Sequence, residues 1–301
     1  MYFTLLFYKY TLIQDPETFV AEHLKFCQDL GLHGRILVAK EGINGSVSGT
    51  KEQIETYKST LRNLPEFAGI EFKEGGAEDH IFQKMHVRLR KEICALKLED
   101  DVDPLAPTDY IEPEEVHEIL KNEDKDYIFI DTRNNYEWKS GKFKNALTLD
   151  IEYFRDFPAA VKEIENLKDK KVITYCTGGI RCEKAARYLQ KVGFKNVRQI
   201  HGGILRYGEK TDGYGWEGNC FMFDDRLGVP INKSEDACLI SECSHCHTLC
   251  DRYRNCSNVD CNILYISCEE CDEKLGAFCS ETCSHATRTR ERNPVRVVAV
   301  R

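Results

Sequence analysis

The sequence predicts a three-part α/β protein: an N-terminal α+β unit, a central unit on a parallel sheet, and a small cysteine-rich, zinc-binding C-terminal region. Three observations predict it. Short apolar strands alternate with amphipathic helices from residue 2 to about 207. An acidic, proline-bearing stretch at 97–109 interrupts that alternation, and the cysteines crowd between Cys220 and Cys283, where aliphatic residues are few.

The chain has 301 residues, 42% hydrophobic and 31% charged, enough apolar material for two or three domains. Its longest apolar run, Met1 to Tyr8, stops at Lys9, short of the roughly 20 residues that cross a bilayer. The run also lacks a basic n-region and a small-residue cleavage site. Membrane insertion and secretion are therefore not expected, and a reducing cytoplasm is. There an odd count of 15 cysteines points to thiol chemistry and metal, not to a disulfide framework. A net charge of -8 argues against coating DNA or RNA by bulk charge, so RNA contact needs a local basic patch. No glycine-rich dinucleotide fingerprint follows a strand, since Gly202-Gly203 lacks the third glycine; neither flavin nor nicotinamide is expected.

Residues 1–96 form a βαββαβ, ferredoxin-like pattern. Tyr2 to Ile13 is strand-like. Asp15-Pro16 starts a helix presenting Phe19, Val20, Leu24, Cys27 and Leu30 and ending at Gly31. Arg35–Val38 and Ser46–Ser48 flank Gly42-Ile43-Asn44-Gly45, read as a hairpin turn. Thr50 and Gln53 form a capping box for a helix burying Ile54, Tyr57, Leu61 and Leu64. Strands at 70–73 and near 85–93 complete the unit. Residues 97–109 read as a linker, 110–207 as the parallel-sheet domain with strands Tyr127–Asp131 and Lys171–Tyr175, and 208–301 as the cysteine-rich region with a basic tail.

The chemistry is concentrated in Tyr175-Cys176-Thr177-Gly178-Gly179-Ile180-Arg181-Cys182. A buried strand ends at a cysteine, six residues run from Cys176 to Arg181, and a helix follows at once. That arrangement aims backbone N–H groups and the positive end of a helix dipole at the sulfur, which stabilises a thiolate and cradles an anion. Cys176 is the expected nucleophile, and Arg181 closes the loop by pairing with a carboxylate. Cys182, in the first helical turn, is either a packed helix residue or a second, resolving thiol.

In the tail, Cys243-x-x-Cys246, Cys256-x4-Cys261, Cys268-x-x-Cys271 and Cys279-x3-Cys283 supply eight thiolates, enough for two closed structural zinc sites. Sequence order leaves open which pairs share a metal; a cross-braced arrangement would join the first pair with the third and the second with the fourth, and Cys250, His245, His247 and His285 are alternative ligands. Closed sites leave no position for water, so the metal is expected to be scaffold. Two basic stretches stand out on the acidic chain: Lys84 to Lys97, and Arg288, Arg290, Arg292, Arg296 and Arg301 near the end. They are candidates for following a phosphate backbone.

The active loop resembles that of the rhodanese family, which begins with cysteine and ends with arginine. Ile130-Asp131-Thr132-Arg133, then Glu137-Trp138 and Gly141-Lys142-Phe143, is similar to a second rhodanese signature, with Asp131 and Arg133 as its marks and Lys142 where a histidine is usual. His201-Gly202-Gly203-Ile204 is similar to a third. The six-residue loop resembles that of sulfur-carrying rhodaneses, against the longer loop of related phosphatases.

Gly34 to Gly45, Phe82 to Arg88 and Tyr175 to Lys184 together resemble the bacterial rhodanese-fold tRNA uridine(34) hydroxylase family over nearly the full length. That resemblance implies oxygen-dependent conversion of the tRNA wobble uridine to 5-hydroxyuridine, with O2 as cosubstrate and the tRNA anticodon loop as partner. Under it, Arg35, Lys40, Lys84, Arg88 and Arg90 are the candidate tRNA contacts. A sulfurtransferase carrying a persulfide on Cys176 would use the same loop, and a non-enzymatic module built on the zinc region is the third reading.

Overall fold

The computed structural model describes residues 1–98 and 102–290, so Arg292, Arg296 and Arg301 of the basic tail lie outside the described residues. The N-terminal unit runs β1 (Tyr2–Tyr10), α1 (Pro16–Asp29), β2 (His33–Ala39), β3 (Gly42–Gly49), α2 (Lys51–Asn63), β4 (Glu71–Ala77) and β5 (Met85–Leu89). Its sheet has the order β4-β1-β3-β2-β5, with β5 parallel to β2 and the other pairs antiparallel. Asp15 caps α1 by accepting from the Thr18 N–H at 3.1 Å, and Thr50 and Gln53 close the capping box on α2. The two helices bury Cys27, Ile54, Tyr57 and Leu61 against Leu5, Phe7, Ile36 and Val38. His23, which apolar spacing did not mark, joins them with Nε2 3.0 Å from the Tyr57 hydroxyl.

The hairpin expected at Gly42–Gly45 is placed differently. The turn is Lys40-Glu41, because Ala39 already pairs with Gly42, and residues 42–45 belong to β3. The reason is close approach: a Cβ on Gly42 would lie 2.1 Å from the Lys9 carbonyl oxygen. Strand pairing thus requires this glycine where sequence spacing suggested a turn.

The central unit contains β6 (Tyr110–Ile111), α3 (Pro113–Lys121), β7 (Tyr127–Asp131), α4 (Asn135–Trp138), β8 (Gly141–Phe143), β9 (Leu147–Thr148), α5 (Phe157–Val161), β10 (Lys171–Tyr175), α6 (Ile180–Lys191), β11 (Asn196–Ile200) and α7 (Gly203–Thr211). Its parallel sheet has the order β6-β11-β10-β7-β9. Central β10 is covered on both faces, which explains its mostly apolar sequence. The packing continues beyond residue 207. In β12 (Trp216–Phe221), Trp216 and Cys220 enter the core with Phe143 and Tyr175, and β12 joins β8 to β13 (Gly228–Pro230). The described part of the 97–109 stretch is also docked: Leu98 and Val102 pack on the core of Ile130 and Val172, and Arg187 donates to the Ala106 carbonyl.

Asp131 and Arg133 form a fully buried ion pair at 2.6 Å that ties the end of β7 to the Gly141 carbonyl, also 2.6 Å from Arg133. The Arg133 guanidinium lies 5.1 Å from the Trp216 ring centroid. This rhodanese-like mark therefore braces the site and stands outside its chemistry. Arg133→Leu strands a buried carboxylate, and the expected loss of stability is about 3–5 kcal/mol. Urea denaturation checks this as a fall in midpoint.

The C-terminal region adds β14 (Tyr253–Asn255), β15 (Leu264–Ile266), α8 (Glu269–Leu275) and α9 (Glu281–Ser284). Tyr253 packs edge-on to Phe221 at 5.1 Å and donates to the Tyr136 carbonyl, which fastens this region to α4.

Candidate active site

Cys176 lies where β10 ends, fully buried, and Gly179, at φ +105°, caps the N-terminus of α6. The Gly179 N–H donates to the Cys176 sulfur at 3.1 Å. Burial pushes the Cys176 thiol up, but hydrogen bonds from the Cys182 thiol and from the Arg181 and Cys182 N–H groups, with the Arg181 charge, outweigh it and bring the pKa down to about 5. Cys182 is pushed well up by burial and by the neighbouring sulfur. It stays a thiol that donates to Cys176, with the Thr132 hydroxyl 3.6 Å from its own sulfur.

Arg181 meets Glu137 through two hydrogen bonds, of 2.5 and 2.7 Å, and reaches the Thr177 hydroxyl at 3.4 Å. Glu137 is fully buried on α4, and its side chain also accepts from the Asn134 N–H at 3.1 Å. In the sequence Glu137-Trp138 is an acidic-aromatic mark only; the structure makes Glu137 the carboxylate that closes the loop. From behind, the N–H groups of Ile204 and Leu205 donate to the carbonyls of Cys176 and Thr177 at 3.0 and 3.1 Å. Gly203 approaches so closely that a Cβ there would lie 2.5 Å from the Cys176 carbonyl oxygen, which accounts for the Gly202-Gly203 motif.

The N-terminal sheet covers the loop with the face opposite its helices. Leu6 packs over Gly178, and the Tyr8 hydroxyl stands over Gly179. Tyr8 donates to Glu183 at 3.0 Å, where Tyr110 at 2.7 Å, Gln199 at 3.0 Å and Thr108 at 3.3 Å also converge. Lys184 pairs with Glu41 at 2.9 Å and Glu92 at 2.7 Å. One turn of α6 thus latches both units together through groups separated by up to 175 residues, which sequence spacing had no means of pairing. Beside the latch is a cleft of about 510 Å³, lined by Tyr8, Tyr10, Lys73, Tyr110, Arg187 and His201 among others.

Arg35, Lys40, Lys84, Arg88 and Arg90 are all exposed and do not line this cleft. Arg88 shares the loop-facing side of the sheet, three strands from Tyr8 along the register Tyr8–Asn44–Leu37–Arg88, a span of about 14 Å at ~4.8 Å per strand. Arg35 lies on the same side, opposite Ser46 and His86.

In the C-terminal region, Cys243, Cys246, Cys268 and Cys271 form one cluster and Cys256, Cys261, Cys279 and Cys283 the other, each with its sulfurs within 4.8 Å of one another. Sulfur pairs at 3.6 Å (Cys246–Cys268) and 3.7 Å (Cys261–Cys279, Cys279–Cys283) match the edge of about 3.8 Å of a tetrahedron with ~2.3 Å metal–sulfur bonds. Both clusters can hold a metal ion, and four thiolates suit zinc. His245, His247, His285 and Cys250 belong to neither cluster. Arg288 and Arg290 are engaged locally, with Asp260 at 2.8 Å and Asn262 at 2.6 Å.

Three sequence families match in succession: the UPF0176 acylphosphatase like domain over residues 2–93, the rhodanese-like domain over 112–210, and the rhodanase C-terminal domain over 217–284. The proteins called tRNA uridine(34) hydroxylase in Bacillus cereus (strain G9842) and Bacillus anthracis (strain CDC 684 / NRRL 3495) are each 47% identical to this chain over 293 residues, covering 96% of it and 91% of each relative. The chain belongs to the tRNA uridine(34) hydroxylase family. The tRNA uridine(34) hydroxylase of Bacillus cytotoxicus is likewise 47% identical, with 90% of its length covered. The similarity extends over all three parts of the chain, so the cysteine-rich region and the sheet that covers the loop fall within it. Among the described residues, no helix is long and apolar enough to cross a membrane.

Proposed function

We propose that this chain hydroxylates C5 of uridine 34 in the anticodon loop of tRNA, with O2 as cosubstrate and Cys176 as nucleophile. The observation that carries the reading is a stabilised thiolate at the mouth of a helix in a chain 47% identical, nearly end to end, to tRNA uridine(34) hydroxylases. Uracil C5 is a poor nucleophile until C6 is attacked. Addition of the Cys176 sulfur to C6 forms a C–S bond and moves the ring electrons toward C5 and O4. One oxygen atom of O2 then goes to C5, the other leaves as water with two protons and two electrons from an external donor, and loss of the C5 proton expels the sulfur. The loop amides hold the sulfur's charge before addition and after release.

A wobble base is exposed in its loop and leaves the stack at low cost. Arg35, Lys40, Lys84, Arg88 and Arg90, spread over the β2–β5 side of the sheet, would follow the phosphates flanking it. The two cysteine clusters would each hold a structural zinc ion, and the reaction belongs in the cytoplasm, where its substrate is.

The test is mass spectrometry of nucleosides from unmodified tRNA incubated aerobically with the protein. A gain of about 16 Da on uridine 34 that requires oxygen, the mass of one inserted atom in the step above, is the expected result. Thiocyanate from thiosulfate and cyanide with no such gain would replace this reading with a sulfurtransferase.

A further inference from the structure

Each cation in the interdomain cleft can be checked for whether the protein already uses its charge. Arg187 is occupied by the Glu183 side chain and the carbonyls of Glu183 and Ala106. His201 lies between Glu112 and Arg206, at 2.8 and 3.2 Å, and Lys9 donates to the Ala68 carbonyl. Arg181, at the loop, is taken by Glu137. Lys73 differs: among the described residues its ammonium has neither a hydrogen-bond acceptor nor an ion pair. It is half-buried, lines the cleft and lies 5.3 Å from the Tyr8 ring centroid. Its strand position is opposite Leu6, the residue packed over Gly178 of the active loop. Glu71, two residues away on the same face of its strand, is turned to Arg206 at 2.9 Å and to His201 at 3.4 Å, and the adjacent Glu74, on the other face, is paired with Lys58.

We infer that the cleft seats the flipped-out wobble nucleoside and that Lys73 is a substrate-contacting catalytic residue, donating to the uracil oxygen that becomes anionic when C6 is attacked. This rests on the hydroxylase reading above. About 510 Å³ lies within the range of sites for small ligands and exceeds the needs of one nucleoside. Tyr8, Tyr10 and Tyr110 supply rings for a splayed base. The chemistry needs a positive group on the side of the ring away from the sulfur, because addition at C6 moves one negative charge onto the ring oxygen while the loop amides stay with the sulfur. Burial lowers the Lys73 pKa, which means that an anionic substrate oxygen would relieve a desolvated cation.

Two variants and two reagents test this. Lys73→Met keeps the length and packing of the side chain, and is expected to lower kcat for tRNA hydroxylation by about 100-fold, the usual effect of one lost charge-stabilising donor. KM for tRNA should stay within about threefold, since the proposed contact forms in the transition state. Lys73→Arg should restore part of kcat. Independently of hydroxylation, Cys176 of the wild type should react faster with anionic iodoacetate, relative to neutral iodoacetamide, than Cys176 of Lys73→Met. If kcat of Lys73→Met stays within about twofold of wild type, the inference is overturned while the hydroxylase reading stands. If the wild type makes no 5-hydroxyuridine, the reagent ratio decides alone: a ratio that depends on Lys73 keeps the anion contact, and an unchanged ratio removes it.

Discussion

Cys176→Ser is expected to reduce 5-hydroxyuridine formation by at least about 10³-fold with the fold retained. The sulfur sits against the Gly179 N–H at the start of α6, and its pKa of about 5 keeps it ionised at pH 7. A serine hydroxyl in the same cradle stays protonated and adds poorly to C6. The direction of the shift sets a second readout. A lowered pKa means that the reactive thiolate persists as pH falls, so alkylation followed on the peptide carrying Cys176 should be flat from pH 9 to 7 and fall with a midpoint near 5. Cys182 should stay unreactive over that range, because its pKa is shifted upward. A serine variant within tenfold of wild type, or an alkylation midpoint near that of a free thiol, would remove Cys176 from the mechanism.

Removing metal from the C-terminal region should have an effect of comparable size by a different route. On the zinc reading, four cysteines around each ion would add to the small apolar clusters of this region, and structural zinc in small domains is held by roughly 10–16 kcal/mol. Metal analysis should find two zinc ions per chain. Strong chelation, or Cys243→Ser with Cys256→Ser, should unfold residues 241–290, seen as lost amide protection there while the central sheet keeps its own. The loss should reach the active site. Tyr253 is fastened to the Tyr136 carbonyl, one residue before Glu137, and Glu137 holds Arg181. Hydroxylation should therefore fall even though no cysteine of either cluster lines the cleft. Full amide protection of residues 241–290 in metal-free protein would overturn the assignment of these clusters.

Much of this protein is legible in short stretches of sequence. Asp15-Pro16, the Thr50–Gln53 box, the apolar run of β10 and the Cys176–Arg181 loop before α6 are local, because caps, turns and helix dipoles act over a few residues. Cysteine spacing likewise marks four pairs, since the members of each are close in the chain, but which pairs join into a four-thiolate group is decided only by the folded structure. The misplaced hairpin at Gly42 shows the limit: a glycine reads as a turn until the strand beside it is known.

Tertiary structure alone decided what surrounds Cys176. Its closing carboxylate, Glu137, is 44 residues from Arg181, and Tyr8 meets Glu183 across 175. Neither pairing leaves a period or spacing in the sequence. The first arises because β7 and β10 are neighbours in the central sheet and deliver α4 and the start of α6 to the same end of it, the second because the N-terminal sheet packs its face on that helix start. That Lys73 has no acid partner among the described residues emerges by the same logic, since whether a cation is already neutralised depends on which acids packing brings within reach, and no count of residues along a chain contains that distance.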